Sequence, residues 1–126
     1  MDSTGTISHR VILIRISRLY RPGMNTTELY EATRGVWRLD VRKARSAEYV
    51  FAVIEQKVRE VYAPHQWEPA GSTPYQSRKQ DTLRRPGRWE FVGATAASEI
   101  RERYVDMSLA DMFLPGASNP IMYVNM

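Results

Sequence analysis

Three tryptophans and a large set of arginines are the residues best suited to chemistry in this sequence. Trp37, Trp67 and Trp89 each follow a turn or a break in the hydrophobic pattern, and all but three of the 18 basic residues are arginine. A guanidinium grips phosphate through paired hydrogen bonds and stacks on rings. Aromatic rings restore the stacking that a flipped nucleobase loses, worth about 1–3 kcal/mol per base. The pattern favours a site for a nucleobase flanked by phosphates.

The aromatic residues differ in the role that their positions predict. Trp89 alternates with Phe91 on a predicted strand, which favours packing in the core. Trp37 and Trp67 lie at the ends of predicted elements, which favours a role as walls of a base pocket, and Tyr49 opens the central strand. The predicted base-binding residues are Trp37, Trp67, Tyr49, Arg34 and Tyr30.

Other kinds of catalytic or metal site find little support. The chain contains no cysteine and only two histidines, His9 and His65, which excludes disulfides, thiol nucleophiles and a conventional His/Cys zinc site. It also lacks a G-x-S-x-G motif and a glycine-rich phosphate loop. Glu28 and Glu31 lie three residues apart on one predicted helix face, but acids on helix surfaces are usually solvated. We therefore expect no catalytic residue, no metal and no cofactor, and a protein that is not an enzyme.

Positive charge is concentrated in two segments. The formal net charge is +4; residues 9–45 carry +6 and residues 78–90 carry +3, whereas residues 94–126 carry −2. Clustered arginine and lysine supply the salt-sensitive affinity of proteins for the phosphate backbone. The predicted phosphate-binding residues are Arg18, Arg21, Arg78, Lys79, Arg84 and Arg85.

Length and composition predict one globular domain. The chain has 126 residues, of which 43% are hydrophobic and 25% charged, so residues 1–126 can form a single core. The longest apolar run is only a few residues and the first residues are polar, without the apolar stretch of a signal peptide. We therefore expect a cytoplasmic protein with no membrane partner; the oligomeric state is left open.

Hydrophobic patterning predicts an α+β fold. A buried strand is predicted at residues 11–16, and Asn25 with Glu28 forms a capping-box spacing ahead of a helix over residues 26–34. The other predicted elements are strands at 49–54, 58–62, 88–92 and 121–124, helices at 97–104 and 108–113, and a short helical turn within 38–47.

Pro64 is expected to end the hairpin, and residues 68–87 to form a mobile basic loop. The last strand can pair with the first. We therefore expect a small curved β-sheet or open β-barrel with two or three flanking short helices.

The order of these features resembles a known group of domains. The helix that ends in Arg34-Gly35-Val36-Trp37, the strand 49–53 with its hairpin, Trp67, the basic loop and the strand 88–92 resemble the layout of EVE and YTH domains. These domains belong to the PUA-like group of β-barrels, which read modified nucleobases. Residues 28–37 and 119–125 also look like a small bacterial domain that is fused to endonuclease modules in some proteins. A stand-alone chain of this kind resembles small actinobacterial proteins that bind 5-methylcytosine. In YTH domains two tryptophans form an aromatic cage, and Trp37 and Trp67 match their places.

The resemblance and the charge pattern together predict a DNA-binding protein that flips a modified base, most simply 5-methylcytosine, into an aromatic pocket. Methylated double-stranded DNA is the favoured partner. One methyl group is worth about 1 kcal/mol of burial, so discrimination is expected to be modest.

Three alternatives stay open. The first is an RNA-binding module of the same fold. The second is a small enzyme acting on nucleotides or an acidic metabolite, with Glu28 or Glu31 beside Arg34. The third is a protein-interaction module in which all three tryptophans are core residues.

Overall fold

The computed structural model describes residues 6–110, 112 and 119–126, which form an α+β fold with a curled six-stranded sheet. The strands are β1 (Val11–Arg15), β2 (Gly35–Trp37), β3 (Tyr49–Ile54), β4 (Lys57–Pro69), β5 (Trp89–Thr95) and β6 (Ile121–Val124). The helices are α1 (Thr26–Arg34), α2 (Val41–Ser46) and α3 (Ser98–Tyr104), and a 3₁₀ turn spans Gln80–Thr82. The predicted α+β class with a curved sheet and short helices, the strand at 49–54 and the helix at 26–34 are confirmed.

The sheet has the order β2-β5-β4-β3-β1-β6. β1 lies parallel to β3, and the other neighbouring pairs are antiparallel. The predicted pairing of the last strand with the first is confirmed, because Val11 lies opposite Val124 in the β1–β6 register. The short strand β2 and the C-terminal strand β6 are consequently the two edges of the sheet.

The long strand β4 corrects the expected end of the hairpin. The strand is thirteen residues long and continues past Pro64 as far as Pro69. Proline has no amide hydrogen, and it is tolerated here because the pairing with β5 shifts register between Pro64 and Gln66. Trp67 therefore lies inside the strand, opposite Phe91, and not at the start of a loop.

The core lies on both faces of the central strands, as the continuous apolar run of β1 implies. On one face, Leu13 and Phe51 pack with Tyr104 of α3. On the other face, Ile12 packs with Leu29 of α1. The N-terminus of α1 has the predicted capping box, in which Asn25 Oδ1 accepts from the Glu28 amide at 2.8 Å and Glu28 Oε1 accepts from the Asn25 amide at 3.0 Å.

The helical turn predicted within residues 38–47 is confirmed, whereas Ser108 departs from the helix predicted at 108–113. The helical turn expected within residues 38–47 is α2, whose first amides donate to the Asp40 side chain. The short helix expected at 108–113 lies partly outside the described residues, and Ser108 forms a β-bridge with Lys57.

Candidate nucleotide-binding cavity

A cavity of about 740 Å³ opens between the two edges of the curled sheet. One wall is β2, from Gly35 to Trp37, and another contains Asn119 and Pro120, which directly precede β6. The segment that follows β2 also contacts β6, because the Asp40 amide donates to the Tyr123 hydroxyl at 2.7 Å. The volume lies within the range of roughly 300–1,000 Å³ that is typical of sites for small ligands.

Arginine dominates the lining of this cavity. The lining arginines are Arg15, Arg18, Arg38, Arg78, Arg85 and Arg88. They come from the end of β1 and the turn after it, from the residue after β2 and from the loop that precedes β5. Among the described residues, no aspartate or glutamate lines the cavity. A concave site with charge of one sign concentrates ligands of the opposite charge.

The ion pairs between described residues involve no lining residue of the cavity. They join Arg10 to Glu48, Arg21 to Glu28, Arg34 to Glu90, and Arg101 to Glu60. Within the described part of the chain, five lining arginines have no carboxylate at ion-pairing distance. These five, which we call the unpaired arginines, are Arg18, Arg38, Arg78, Arg85 and Arg88.

Trp37 supplies the only tryptophan ring among the described lining residues. It is half-buried, and its indole Nε1 donates to the Thr33 carbonyl at 2.7 Å in the last turn of α1. Thr33 is fully buried and its hydroxyl donates to the Leu29 carbonyl at 2.8 Å. The end of the helix therefore fixes the orientation of the indole before a ligand arrives.

Gly35 allows the chain to pass closely beneath the loop at this point. A Cβ atom on Gly35 would lie 2.9 Å from the Cβ of Glu90 and would overlap the Tyr75 hydroxyl. Any larger residue would thus displace β2, and with it Trp37.

Arg78 is fixed in the cavity wall by two backbone carbonyls. Its Nη1 donates to the carbonyls of Glu31 at 3.0 Å and of Gly35 at 2.5 Å. Burial lowers the pKa of the Arg78 guanidinium, and the nearby Arg34 and Arg85 charges act in the same direction. Since an arginine remains protonated in proteins, the result is a charge that a bound anion would stabilise.

Two buried carboxylates attach the loop that carries Arg78. Glu31 accepts from the backbone amides of Gln76 at 2.9 Å and Ser77 at 2.6 Å, and from the Ser77 hydroxyl at 2.6 Å. Burial alone would raise the pKa of the Glu31 carboxyl, but these hydrogen bonds and the Arg34 charge lower it below its ordinary value.

The second carboxylate, Glu90, is fully buried. It accepts from the Gly71 amide at 2.8 Å, from the Tyr75 hydroxyl at 3.0 Å, and from both the amide and the hydroxyl of Thr73. Burial raises the pKa of the Tyr75 hydroxyl, which therefore stays protonated and donates to Glu90. The basic loop is thus tied to the sheet at its first half.

Arg34, predicted to bind a base, belongs to this buried network. Only 4% of it is exposed, and its Nη1 lies 3.7 Å from Glu90 Oε2. Its guanidinium lies 3.7 Å from the centre of the Tyr75 ring, and it donates to the Thr73 hydroxyl and the Pro74 carbonyl at 2.8 Å. Arg34 therefore stabilises the attachment of the loop and does not line the cavity.

The predicted facing pair of Trp37 and Trp67 is not found. Trp67 is 6% exposed, and its ring centre lies 5.2 Å from that of Phe91 in the core. Tyr49 packs on the opposite face of the sheet against His9, and the Tyr30 hydroxyl accepts from the Gly93 amide at 3.0 Å. Of the five predicted base-binding residues, only Trp37 lines the cavity.

The predicted phosphate contacts divide into two groups. Arg18, Arg78 and Arg85 line the cavity, whereas Arg21 pairs with Glu28 at 3.1 Å. Lys79 and Arg84 are exposed in the same loop but do not line the cavity. The prediction missed three lining residues, Arg15, Arg38 and Arg88, although all three lie within the two basic segments. They come from distant parts of the chain, and the curl of the sheet brings them together.

Comparisons of this chain with protein-family models, with curated protein sequences and with solved structures give no match. Across residues 6–110, 112 and 119–126, no group of three or more metal-ligating side chains is close enough to hold an ion. In the same residues, every helix is too short or too polar to cross a bilayer.

Proposed function

We propose that this protein binds double-stranded DNA and accepts a modified base, most simply 5-methylcytosine, in the cavity beside Trp37. One observation carries the proposal: a cavity of nucleotide-compatible size joins an oriented indole to the five unpaired arginines. Burial of a neutral ligand would leave those charges without partners. A nucleotide offers both a ring for the indole and phosphates for the guanidinium groups.

The exposed and half-buried arginines suggest how a flipped nucleotide would lie. Arg18, Arg38 and Arg85 are exposed, so they can reach the phosphates on either side of the flipped nucleotide. The base would stack on Trp37, which offsets part of the few kcal/mol that unstacking costs. Apolar lining from Ile16, Leu19, Val36 and Pro120 is available to a methyl group.

The curled α+β sheet is compatible with a PUA-like fold, and we propose that fold on the strength of the resemblance to EVE and YTH domains. The proposed pocket differs from the two-tryptophan cage of YTH domains, because Trp67 lies in the core. Arginine and apolar side chains would here take the place of the second ring. We therefore expect stronger dependence on phosphate than on the methyl group.

The test is fluorescence anisotropy with a labelled duplex that carries one central 5-methylcytosine, compared with the unmethylated duplex. Burial of one methyl group predicts about fivefold tighter binding of the methylated duplex. Trp37→Ala should remove this preference, because the base loses its stacking surface. Arg59→Ala is the matched control, since Arg59 is exposed on β4 and does not line the cavity.

Equal binding of both duplexes by the wild-type protein would contradict the proposal. So would an equal loss of affinity in Trp37→Ala and Arg59→Ala, which would indicate general attraction to a polyanion. Tighter binding of a matched RNA strand than of the methylated duplex would instead support the alternative of an RNA-binding module.

A further inference from the structure

The cavity holds more positive charge than the two phosphodiesters of a flipped nucleotide would neutralise. Six guanidinium groups line it, and the described lining residues include no carboxylate. The arginines also differ in exposure: Arg18, Arg38 and Arg85 are exposed, whereas Arg15, Arg78 and Arg88 are half-buried. Phosphodiesters of a duplex stay outside a pocket into which only the base turns. Arg78 and Arg88, which have no carboxylate at ion-pairing distance among the described residues, would therefore meet no phosphate in that complex.

A terminal phosphate group can enter the cavity, whereas a phosphodiester of a duplex cannot. It carries more negative charge and more acceptor oxygens at one position, and it ends the chain, so it can enter a cavity together with its ring. Arg78 is already fixed there by the carbonyls of Glu31 and Gly35, which lowers the entropy cost of binding an anion. Ser17 and Thr82 add hydroxyl groups to the lining.

We infer that this cavity also binds a free nucleoside phosphate, with the terminal phosphates at Arg78 and Arg88 and the base on Trp37. The cavity is then a site for a soluble nucleotide ligand, and occupation by that ligand excludes DNA from it. This inference uses the cavity of the proposed function but does not require that DNA binds there. Affinity rises with the number of phosphates, and the ring adds to it.

Isothermal titration calorimetry with four probes tests the inference: 5-methyl-2′-deoxycytidine, its 5′-monophosphate, its 5′-triphosphate and inorganic triphosphate. We expect the nucleoside triphosphate to bind at least about tenfold more tightly than the nucleoside, because each charge-assisted hydrogen bond is strong. Inorganic triphosphate should bind more weakly than the nucleoside triphosphate by the contribution of stacking, about fivefold or more. Trp37→Ala should remove that difference.

Variants separate this site from general attraction between charges. Arg88→Gln should weaken the nucleoside triphosphate about tenfold, whereas Arg59→Gln, which removes the same charge outside the cavity, should leave its affinity unchanged. Arg78→Gln is the second variant, and thermal unfolding checks that both remain folded. Equal losses in Arg88→Gln and Arg59→Gln would overturn the inference, as would equal affinities of the nucleoside and its triphosphate.

Competition keeps the two proposals distinct. The nucleoside triphosphate should displace the methylated duplex, with an inhibition constant equal to its own dissociation constant. Binding of the duplex without any binding of the triphosphate would overturn this inference and leave the proposed function intact. Binding of the triphosphate without any preference for the methylated duplex would support this inference and overturn the proposed function.

Discussion

Tyr75 is close to two arginines whose surroundings differ. The guanidinium carbon of Arg34 is 3.7 Å from the centre of its ring and that of Arg78 is 5.7 Å away. Arg34 has Glu90 beside it and several hydrogen-bond acceptors, and it is almost fully buried. Arg78 lines the open cavity and has no carboxylate partner among the described residues. The same type of side chain is thus part of a buried network in one case and, in the function we propose, a ligand contact in the other.

The difference lies in where the acidic residues are. Glu31 and Glu90 lie close to the cavity, but their oxygens accept from the loop and from Arg34. The loop that these carboxylates anchor carries Arg78, Arg85 and Arg88, and it holds them near the other unpaired arginines. Like charges in proximity destabilise the empty protein, and an anion relieves that repulsion on binding. We therefore expect the stability of the fold to depend on the network around Arg34, and the proposed ligand affinity to depend on the cavity.

The largest expected effect is a loss of stability when the buried Arg34 is replaced. Arg34→Ala leaves Glu90 as a buried charge without its cation, and removal of one partner of a buried pair costs about 3–5 kcal/mol. The measurement is urea unfolding followed by circular dichroism. Arg101→Ala is the matched control, because the Arg101 side chain is 44% exposed in its pair with Glu60 and should matter much less. Equal losses in the two variants would mean that burial does not separate these pairs.

Substitution of Trp67 should mainly affect stability, and substitution of Trp37 should mainly affect binding. Trp67→Ala removes a buried ring from the core and should lower the free energy of unfolding by about 3 kcal/mol. We expect the lower end of the usual range because the Trp67 indole Nε1 has no hydrogen-bond partner among the described residues. Trp37→Ala should lower the stability less than Trp67→Ala does, and it should weaken binding of the methylated duplex more. Urea unfolding and anisotropy of both variants check this, and the reverse order would contradict the assignment.

Local patterns were enough to predict most of the fold. The capping residues Asn25 and Glu28 marked the start of α1, and the β-branched run 49–54 marked β3, because these signals lie within a few residues in the chain. Pro64 misled the prediction for β4, since its place at a register shift depends on pairing with β5. A proline indicates the end of a strand unless a distant strand provides such a shift.

The cavity could be predicted only in part, for a related reason. The charge runs identified Arg18, Arg78 and Arg85, but nothing local shows that Arg34 meets Glu90, fifty-six residues further along. The prediction for Trp67 is wrong because an end of the strand at Pro64 would place Trp67 outside β4. Contacts that depend on the curl of a sheet join residues that are far apart in the chain, so the spacing of residues in the sequence does not predict them.

Acid should release the anchor of the basic loop. The folded-state pKa of Glu31 is lowered from its ordinary value of 4.5, so this carboxylate contributes stability above pH 4.5 that is lost as pH falls through the folded pKa. Glu31→Gln should therefore be less stable than wild type at neutral pH, and the difference should shrink in acid. Unfolding measured from pH 7 down to pH 3 checks this. A difference that stays constant with pH would contradict the role of the charge.

The smallest effect on stability should have the opposite sign, at Arg85. Arg85→Gln removes an unpaired charge from the cavity, so we expect stability to rise or to stay within about 0.5 kcal/mol of wild type. Binding of the methylated duplex should nevertheless weaken, and its dependence on salt should decrease by about one phosphate contact. Thermal unfolding and anisotropy at several salt concentrations give both values. A variant that loses stability and keeps its affinity would instead assign Arg85 the structural role that Arg34 has.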